Sequence, residues 1–139
     1  MLKKSISVKA SAQAVHDAIV SYRTSEPSKR KIISSSDDQV VIEEKFSGVP
    51  VIGGSRVVYA EHDRAPGRID YQLVESDKVS KFQGYWLIEE KDAGKTNVEL
   101  AVELDSKLPI PFKENILHAQ ADADMKKRLD YVKRKAERS

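Results

Sequence analysis

The sequence has no cysteine, one tryptophan and few aromatic residues, which make up 6% of its 139 positions. Without cysteine, disulfides, thiolate metal sites and cysteine nucleophiles are excluded. No apolar run approaches the roughly 20 residues of a transmembrane helix. The formal net charge of +2, from 24 basic and 22 acidic residues, is too small to predict a nucleic-acid partner.

Sequence motifs for metal, cofactor and nucleophilic chemistry are also missing. The three histidines, His16, His62 and His118, do not follow a metal-ligand spacing. There is no nucleophile elbow, catalytic-triad order, dinucleotide motif or phosphate loop. No metal and no cofactor are therefore predicted. No apolar segment follows Lys3 and Lys4, so no secretion signal is predicted and a cytoplasmic location is expected.

The order of the predicted elements is the most informative positive feature. Residues 1–139 predict a single domain, because the length suits one domain and no linker or repeat interrupts the chain. A short strand at 5–9 precedes a helix that Ser11 caps. The apolar face of that helix has the spacing i, i+3, i+4, i+7, and it consists of Val15, Ala18, Ile19 and Tyr22.

A period of two residues then predicts six consecutive strands. They lie at 31–36, 39–47, 55–62, 68–76, 80–90 and 96–105. The last alternates most clearly, as half-exposed antiparallel strands do, with apolar residues at 98, 100, 102 and 104. Pro109 and Pro111 end the sheet, and a long helix follows from about residue 112 to 137. Its predicted apolar stripe is His118, Ala121, Met125, Leu129, Val132 and Ala136.

These elements resemble those of the helix-grip superfamily, which includes START-like, Bet v 1-like and polyketide cyclase/coenzyme Q-binding-like proteins. The resemblance lies in the opening strand and capped helix at 5–19, the last strand at 96–104, Leu-Pro-Ile-Pro-Phe at 108–112 and the basic end of the final helix at 133–137. It implies an α+β fold in which a seven-stranded, curved antiparallel sheet wraps around the long C-terminal helix, in the order β-α-β6-α. Residues 24–28 depart from it, because they are polar where such proteins have an aromatic, proline-bearing segment.

The resemblance further implies a ligand cavity between the concave face of the sheet and the C-terminal helix. Such sites are mostly apolar with a few fixed polar groups. The expected lining is Ile42, Phe46, Tyr59, Tyr71, Phe82, Trp86, Leu100, Val102, His118, Ala121 and Met125. Each of these side chains also fits an ordinary core position.

Three titratable residues are candidates for catalysis. His118 lies on the predicted apolar stripe, so it is expected to face the sheet, where it would contact a ligand or act as an acid or base. Glu44 and Glu61 fall in phase with apolar neighbours, and an inward carboxylate has a raised pKa. The phase of strand 55–62 is open, because a single bulge would reverse it, and Glu61 lies close enough to a turn for exposure to be expected.

Two surfaces are candidates for contacts with partners. The loop at 48–54 is apolar, so Val49, Pro50, Val51 and Ile52 are interpreted as an entrance to the cavity, with a plug of the core as the alternative. The C-terminal segment from residue 126 carries seven basic residues that would form a solvated helix face or meet an anionic surface: Lys126, Lys127, Arg128, Lys133, Arg134, Lys135 and Arg138.

The function predicted from these features is binding or transport of a small hydrophobic ligand, such as a lipid, a quinone or a polyketide-like compound, without catalysis. One alternative is a polyketide cyclase or dehydratase that uses His118 with an inward glutamate or tyrosine. A second alternative is a module that makes weak contacts with a membrane surface or a protein. The oligomeric state does not follow from the sequence.

Overall fold

The computed structural model describes residues 1–49, 53–64, 67–109 and 111–138, with the backbone alone at 47–49 and 53. The predicted order of elements is confirmed. The elements are β1 (Leu2–Val8), α1 (Ala12–Tyr22), β2 (Arg30–Ser35), β3 (Gln39–Val49), β4 (Gly53–Arg64), β5 (Arg68–Ser76), β6 (Val79–Asp92), β7 (Lys95–Ser106) and α2 (Lys113–Glu137). Residues 23–29, between α1 and β2, form turns. Neither helix is long and apolar enough to span a membrane, within the residues described.

The seven strands form one curved antiparallel sheet in the order β1-β7-β6-β5-β4-β3-β2. Strands β2 to β7 pair with their neighbours along the chain, as expected of strands joined by short turns. The exception is β1, which pairs with β7, for example Ile6 opposite Val98. This arrangement places β1 and β2 at opposite edges of the sheet, and α2 contacts β1, β7 and α1.

Helix α1 begins and packs as its sequence predicts. The Ser11 hydroxyl accepts a hydrogen bond from the Ala14 amide at 3.1 Å, which satisfies a free amide of the first turn. The four residues of the predicted apolar face are all buried. The cap and the face agree, so the local sequence determines both the start and the orientation of this helix.

Helix α2 is placed correctly, but one position of its predicted stripe is wrong. The stripe is confirmed for Ala121, Met125, Leu129, Val132 and Ala136, which are all buried. His118 is exposed, and Leu117 takes the buried position one residue earlier. Both residues lie about one turn before Ala121, so helical spacing alone fits either of them. The sheet takes up the apolar Leu117 and leaves the imidazole in solvent.

A bulge in the strand paired with β4 decides which side chains of β4 face inward, which the sequence left open. The pairing shifts after Val58, because Tyr59 lies opposite Leu73 and one residue of β5, Val74, has no partner. The extra residue is in β5, so the alternation along β4 continues unbroken. Tyr59 and Glu61 therefore share the inner face, and the expectation that Glu61 is exposed is wrong, since it is only 6% exposed.

Candidate functional site

The predicted aromatic wall does assemble between the sheet and α2. One interior space is lined by Tyr59, Glu61, Tyr71, Phe82, Trp86, Leu100, Val102, Asp124, Met125 and Arg128. Seven of these residues belong to the predicted lining. The other predicted positions lie elsewhere: Ile42 is in the hydrophobic core, Phe46 lines a second space, and His118 and Ala121 line a third.

The interior space has a volume of only about 10 Å³. That volume holds about one water molecule. Aromatic rings occupy the rest, because Phe82 lies 5.2 Å from Tyr59, 5.0 Å from Tyr71 and 5.4 Å from Phe46 between ring centroids. The expectation of a ligand-sized cavity under the helix is therefore not met in this conformation.

A buried ion cluster, formed by Glu44, Arg30, Arg128 and Asp124, joins β3 and the start of β2 to α2. Nη2 of Arg128 donates to both carboxylate oxygens of Glu44, at 2.9 and 3.0 Å, and its Nε donates to Asp124 at 2.7 Å. Nη2 of Arg30 lies 3.3 Å from Glu44, and the Tyr59 hydroxyl donates to Glu44 at 2.9 Å. The carboxylate of Glu44 thus holds two arginines, one of them on α2.

The cluster determines the protonation states of its members. Burial by itself would raise the pKa of Glu44, but Arg128 and Arg30 outweigh it, and the pKa is lowered. Burial also raises the pKa of the nearby Tyr22 to about 12, against the opposing effect of Arg128. Glu44 is consequently an ionised, fully hydrogen-bonded carboxylate and a poor proton donor or acceptor.

Glu61 forms a separate buried pair with an arginine of the turn after α1. Nε of Arg23 donates to Glu61 at 2.6 Å, and both side chains are less than 10% exposed. Burial raises the pKa of Glu61, and the attraction of Arg23 only partly opposes this. Of the candidate carboxylates, Glu61 is the one with the raised pKa expected of an inward glutamate.

A groove beside the first two turns of α2 has a volume of about 410 Å³. We call it the α2 groove. Its apolar lining comprises Met1, Leu2, Val102, Leu104, Leu117 and Ala121, and its polar lining comprises Lys81, Glu103, Asp105, Lys113, Glu114 and His118. Val102 lines both this groove and the interior space, so the two adjoin.

A smaller space, the lateral pocket, lies on the other flank of α2 and has a volume of about 180 Å³. Strand β3 and the turn before β2 form one side, and α2 forms the other. Its lining is Lys29, Arg30, Glu44, Lys45, Phe46, Gln120, Ala123, Asp124 and Lys127.

The candidate catalytic residues do not come together. His118 lines the α2 groove, Glu61 the interior space and Glu44 the lateral pocket. Within the described residues, no group of three or more histidine and acidic side chains is placed to hold a metal ion. The predicted entrance residues Pro50, Val51 and Ile52 lie outside the described residues, as does the side chain of Val49.

The arginines of the interior were not predicted from the sequence. Arg128 was grouped with the solvated basic face, and this is wrong, because it is 5% exposed. Its position was informative, since it follows Met125 by three residues and Ala121 by seven, which places it on the buried stripe. Arg23 and Arg30 lie in or next to a polar turn whose sequence carries no comparable periodicity.

No protein-family model matches the sequence, and no curated protein matches it either. Solved structures do match. The Zhui aromatase/cyclase from Streptomyces sp. R1128 has a TM-score of 0.85 at 16% identity, over 99% of this chain and 93% of that one. A START superfamily protein from Mycobacterium smegmatis has a TM-score of 0.79 at 14% identity, over 99% and 97%. Norcoclaurine synthase from Thalictrum flavum has a TM-score of 0.68 at 12% identity, over 96% and 83%.

At these identities the likeness is one of fold, since a fold hosts many activities. The matches cover nearly the whole chain and include START-like proteins and aromatase/cyclases. The resemblance read from the sequence is confirmed at this level: the chain has the helix-grip fold.

Proposed function

We propose that the protein binds a small hydrophobic ligand in the α2 groove, without catalysis. The observation that carries the proposal is the groove itself, whose volume of about 410 Å³ lies in the usual range of small-molecule sites. Its apolar lining includes aliphatic side chains of β1, β7 and α2. The helix-grip fold supports the proposal, because proteins of this fold commonly bind small hydrophobic molecules.

The groove favours a ligand with an apolar body and one polar end. The apolar body would cover Leu104 and Leu117 in the apolar lining. The polar lining pairs its charges across short distances, with Lys113 at 3.0 Å from Asp105 and Lys81 at 3.6 Å from Glu103. These ion pairs are partly exposed and each contributes little to stability, so the polar end group of a ligand can replace one partner of a pair at a low cost in free energy. A lipid, a quinone and a polyketide-like compound all meet this description.

The aromatic interior would act as an extension of the groove. Val102 lies between the two, and behind it the ring of Phe82 packs against the rings of Tyr59 and Tyr71. A ligand that reaches past Val102 must move these rings, which costs part of its binding free energy. We therefore expect compact ligands to bind more tightly than long ones.

The test compares two tryptophan variants of half-buried leucines. Leu104→Trp fills the groove, whereas Leu73→Trp places the same bulk on β5, away from the groove lining. Thermal unfolding is measured with a medium-chain fatty acid, a short-chain quinone and an aromatic polyketide. A ligand at 100 times its dissociation constant should stabilise the wild type and the Leu73 variant by about 2.7 kcal/mol, and the Leu104 variant much less.

Two results would reject the proposal. The first is that none of the three compounds stabilises the wild type and that mass spectrometry finds no organic molecule released on denaturation. The second is that Leu104→Trp binds as well as the wild type.

The cyclase or dehydratase alternative requires a polar pair in contact with the substrate. His118 and the two buried glutamates line three different spaces, and both glutamates are paired with arginines. The interaction-module alternative uses the loop at 48–54, much of which lies outside the described residues, together with the basic end of α2, where Arg128 is buried rather than exposed. Ligand binding is thus the alternative that the described geometry supports best.

A further inference from the structure

The lateral pocket has an unusual balance of charge. Three cationic side chains line it, namely Lys29, Arg30 and Lys127, against the two carboxylates Glu44 and Asp124. Both carboxylates are already bonded to Arg128, which lies behind them in the ion cluster. Glu44 is also 3.3 Å from Arg30, so the two carboxylates are shared between Arg128 and Arg30 and neither is paired with a lysine of the pocket.

A single carboxylate beside the pocket serves three of these cations. Oε2 of Glu26 lies 3.1 Å from Arg30, 3.5 Å from Lys127 and 3.8 Å from Lys29. The hydrogen bond from Arg30, followed by the charges of Lys127 and Lys29, lowers the pKa of Glu26 even though it is well exposed. Together with Arg128, the site holds four cations, Lys29, Arg30, Lys127 and Arg128, against three carboxylates, Glu26, Glu44 and Asp124, so it retains one excess positive charge.

Arg30 supplies a second, independent observation. Its side chain is 2% exposed, and among the described residues its Nε is the buried side-chain atom that lacks a hydrogen-bond partner. Its other nitrogens bond to Tyr22, Ser25 and Glu26. An unsatisfied buried donor is costly, and an arginine donor is satisfied best by a carboxylate or phosphate oxygen.

From these observations we propose that the lateral pocket binds an oxyanion group, a phosphate or a carboxylate, between Lys29 and Lys127 with Arg30 at its base. The volume of about 180 Å³ is below that of sites for drug-sized ligands, so it suits a single charged group rather than a whole hydrophobic molecule. The pocket is separate from the α2 groove, because the two share no lining residue: opposite α2, the pocket is lined by β3 and the start of β2, whereas the groove is lined by β1, β6 and β7. The proposal therefore goes beyond the proposed function and does not depend on it.

The test uses inorganic phosphate and two charge-matched double variants. Phosphate is titrated against chloride at constant ionic strength, and amide NMR shifts are followed residue by residue. In the wild type, saturable shifts should centre on residues 29–30, 45 and 127. Lys29→Gln with Lys127→Gln should raise the dissociation constant about tenfold, because two ion pairs to the bound group are lost.

The control is Lys31→Gln with Lys126→Gln, which removes one exposed lysine from the same strand region and one from the same helix. It should leave the dissociation constant within about twofold of the wild-type value, since salt screens the attraction of phosphate to positive charges elsewhere on the surface. Equal weakening by both double variants would overturn the proposal. So would shifts that never saturate or that spread evenly over all the basic surfaces.

A further measurement distinguishes a soluble oxyanion from a lipid headgroup. Vesicles of phosphatidylcholine containing phosphatidic acid are sedimented with the wild type and with both double variants. Sedimentation that the Lys29/Lys127 variant alone loses assigns the oxyanion to a lipid. Saturable binding of phosphate without sedimentation assigns it to a soluble molecule.

Discussion

Replacement of Glu44 by glutamine tests whether the buried ion cluster stabilises the grip of the sheet on α2. The substitution keeps the shape of the side chain and removes its charge. Arg128 would keep Asp124 as a partner, and Arg30 would keep Glu26. Both arginines nevertheless lose the one fully buried carboxylate of the cluster.

Removal of one partner from a buried ion pair costs about 3–5 kcal/mol, and the remaining partners place this case near the lower value. We expect Glu44→Gln to lower the free energy of unfolding by about 3 kcal/mol. For a domain of this size that corresponds to a fall of about 10 °C in Tm. Urea unfolding measures this change directly. The fluorescence of Trp86 reports it, because this residue is buried and lines the interior space together with Tyr59 and Arg128.

Glu43 provides the matched control one residue earlier. Its side chain pairs with the more exposed Arg56 at 2.8 Å and Lys31 at 3.6 Å. Such surface pairs contribute at most about 1 kcal/mol, so Glu43→Gln should change stability by less than that. If Glu44→Gln stays within about 1 kcal/mol of the wild type, or matches the Glu43 variant, the stabilising role assigned to the cluster is wrong.

The same variant has a defined pH dependence. The pKa of Glu44 in the folded protein is below its ordinary value of 4.5, because its arginines outweigh the effect of burial. Its contribution to stability is therefore complete above pH 4.5 and is lost as the pH falls through the folded-state pKa. The difference in stability between the wild type and Glu44→Gln should shrink on acidification below that value, and a constant difference would contradict the assignment.

Three further predictions concern the sheet, the carboxylates and the start of α2. Gly84→Ala should lower the free energy of unfolding, measured in urea, by at least about 1–3 kcal/mol, because the new methyl group would lie 1.9 Å from a carbonyl oxygen of β7. Gly54→Ala is the control and should be tolerated, since the nearest atom to its new methyl group is 3.7 Å away. In carbon NMR titrations the carboxyl of Glu61 should titrate above 4.5, because of burial, and that of Glu44 below it; the reverse order would refute the assigned environments. Phe112→Asn should raise the free energy of unfolding by about 1 kcal/mol and therefore raise Tm. The N-cap position has φ 56° and no side-chain hydrogen bond, and asparagine tolerates this backbone better than phenylalanine. An unchanged or lower Tm would count against this prediction.

Much of the fold could be predicted from local patterns. Alternation with a period of two located all six consecutive strands, and helical spacing located both helices, because each element buries one face. These signals repeat over many residues, so an error at one position does not change the result. The sequence of elements then restricted the topology, since neighbouring antiparallel strands joined by short turns tend to pair.

The contents of the interior could not be predicted in the same way. The phase of β4 depended on a bulge in β5, which is a property of two strands and not of one. Whether Leu117 or His118 is buried depended on how α2 is rotated about its own axis. A rotation smaller than the angle between two neighbouring residues of the helix is enough to change the answer. The ion cluster joins residues 124 and 128, which have helical i, i+4 spacing, to residues 30 and 44, and no local pattern connects α2 to these two.

By itself, the sequence determined the number, order and type of the elements, the single sheet and the apolar faces that meet beneath α2. The tertiary structure alone decided how completely those faces fill the interior and where the open spaces remain. Burial patterns fix which side of an element turns inward, whereas the volume between two faces depends on how side chains from distant strands interlock. For this reason the same aromatic residues that predicted a cavity are the ones that fill it, and the open spaces lie on the two flanks of α2.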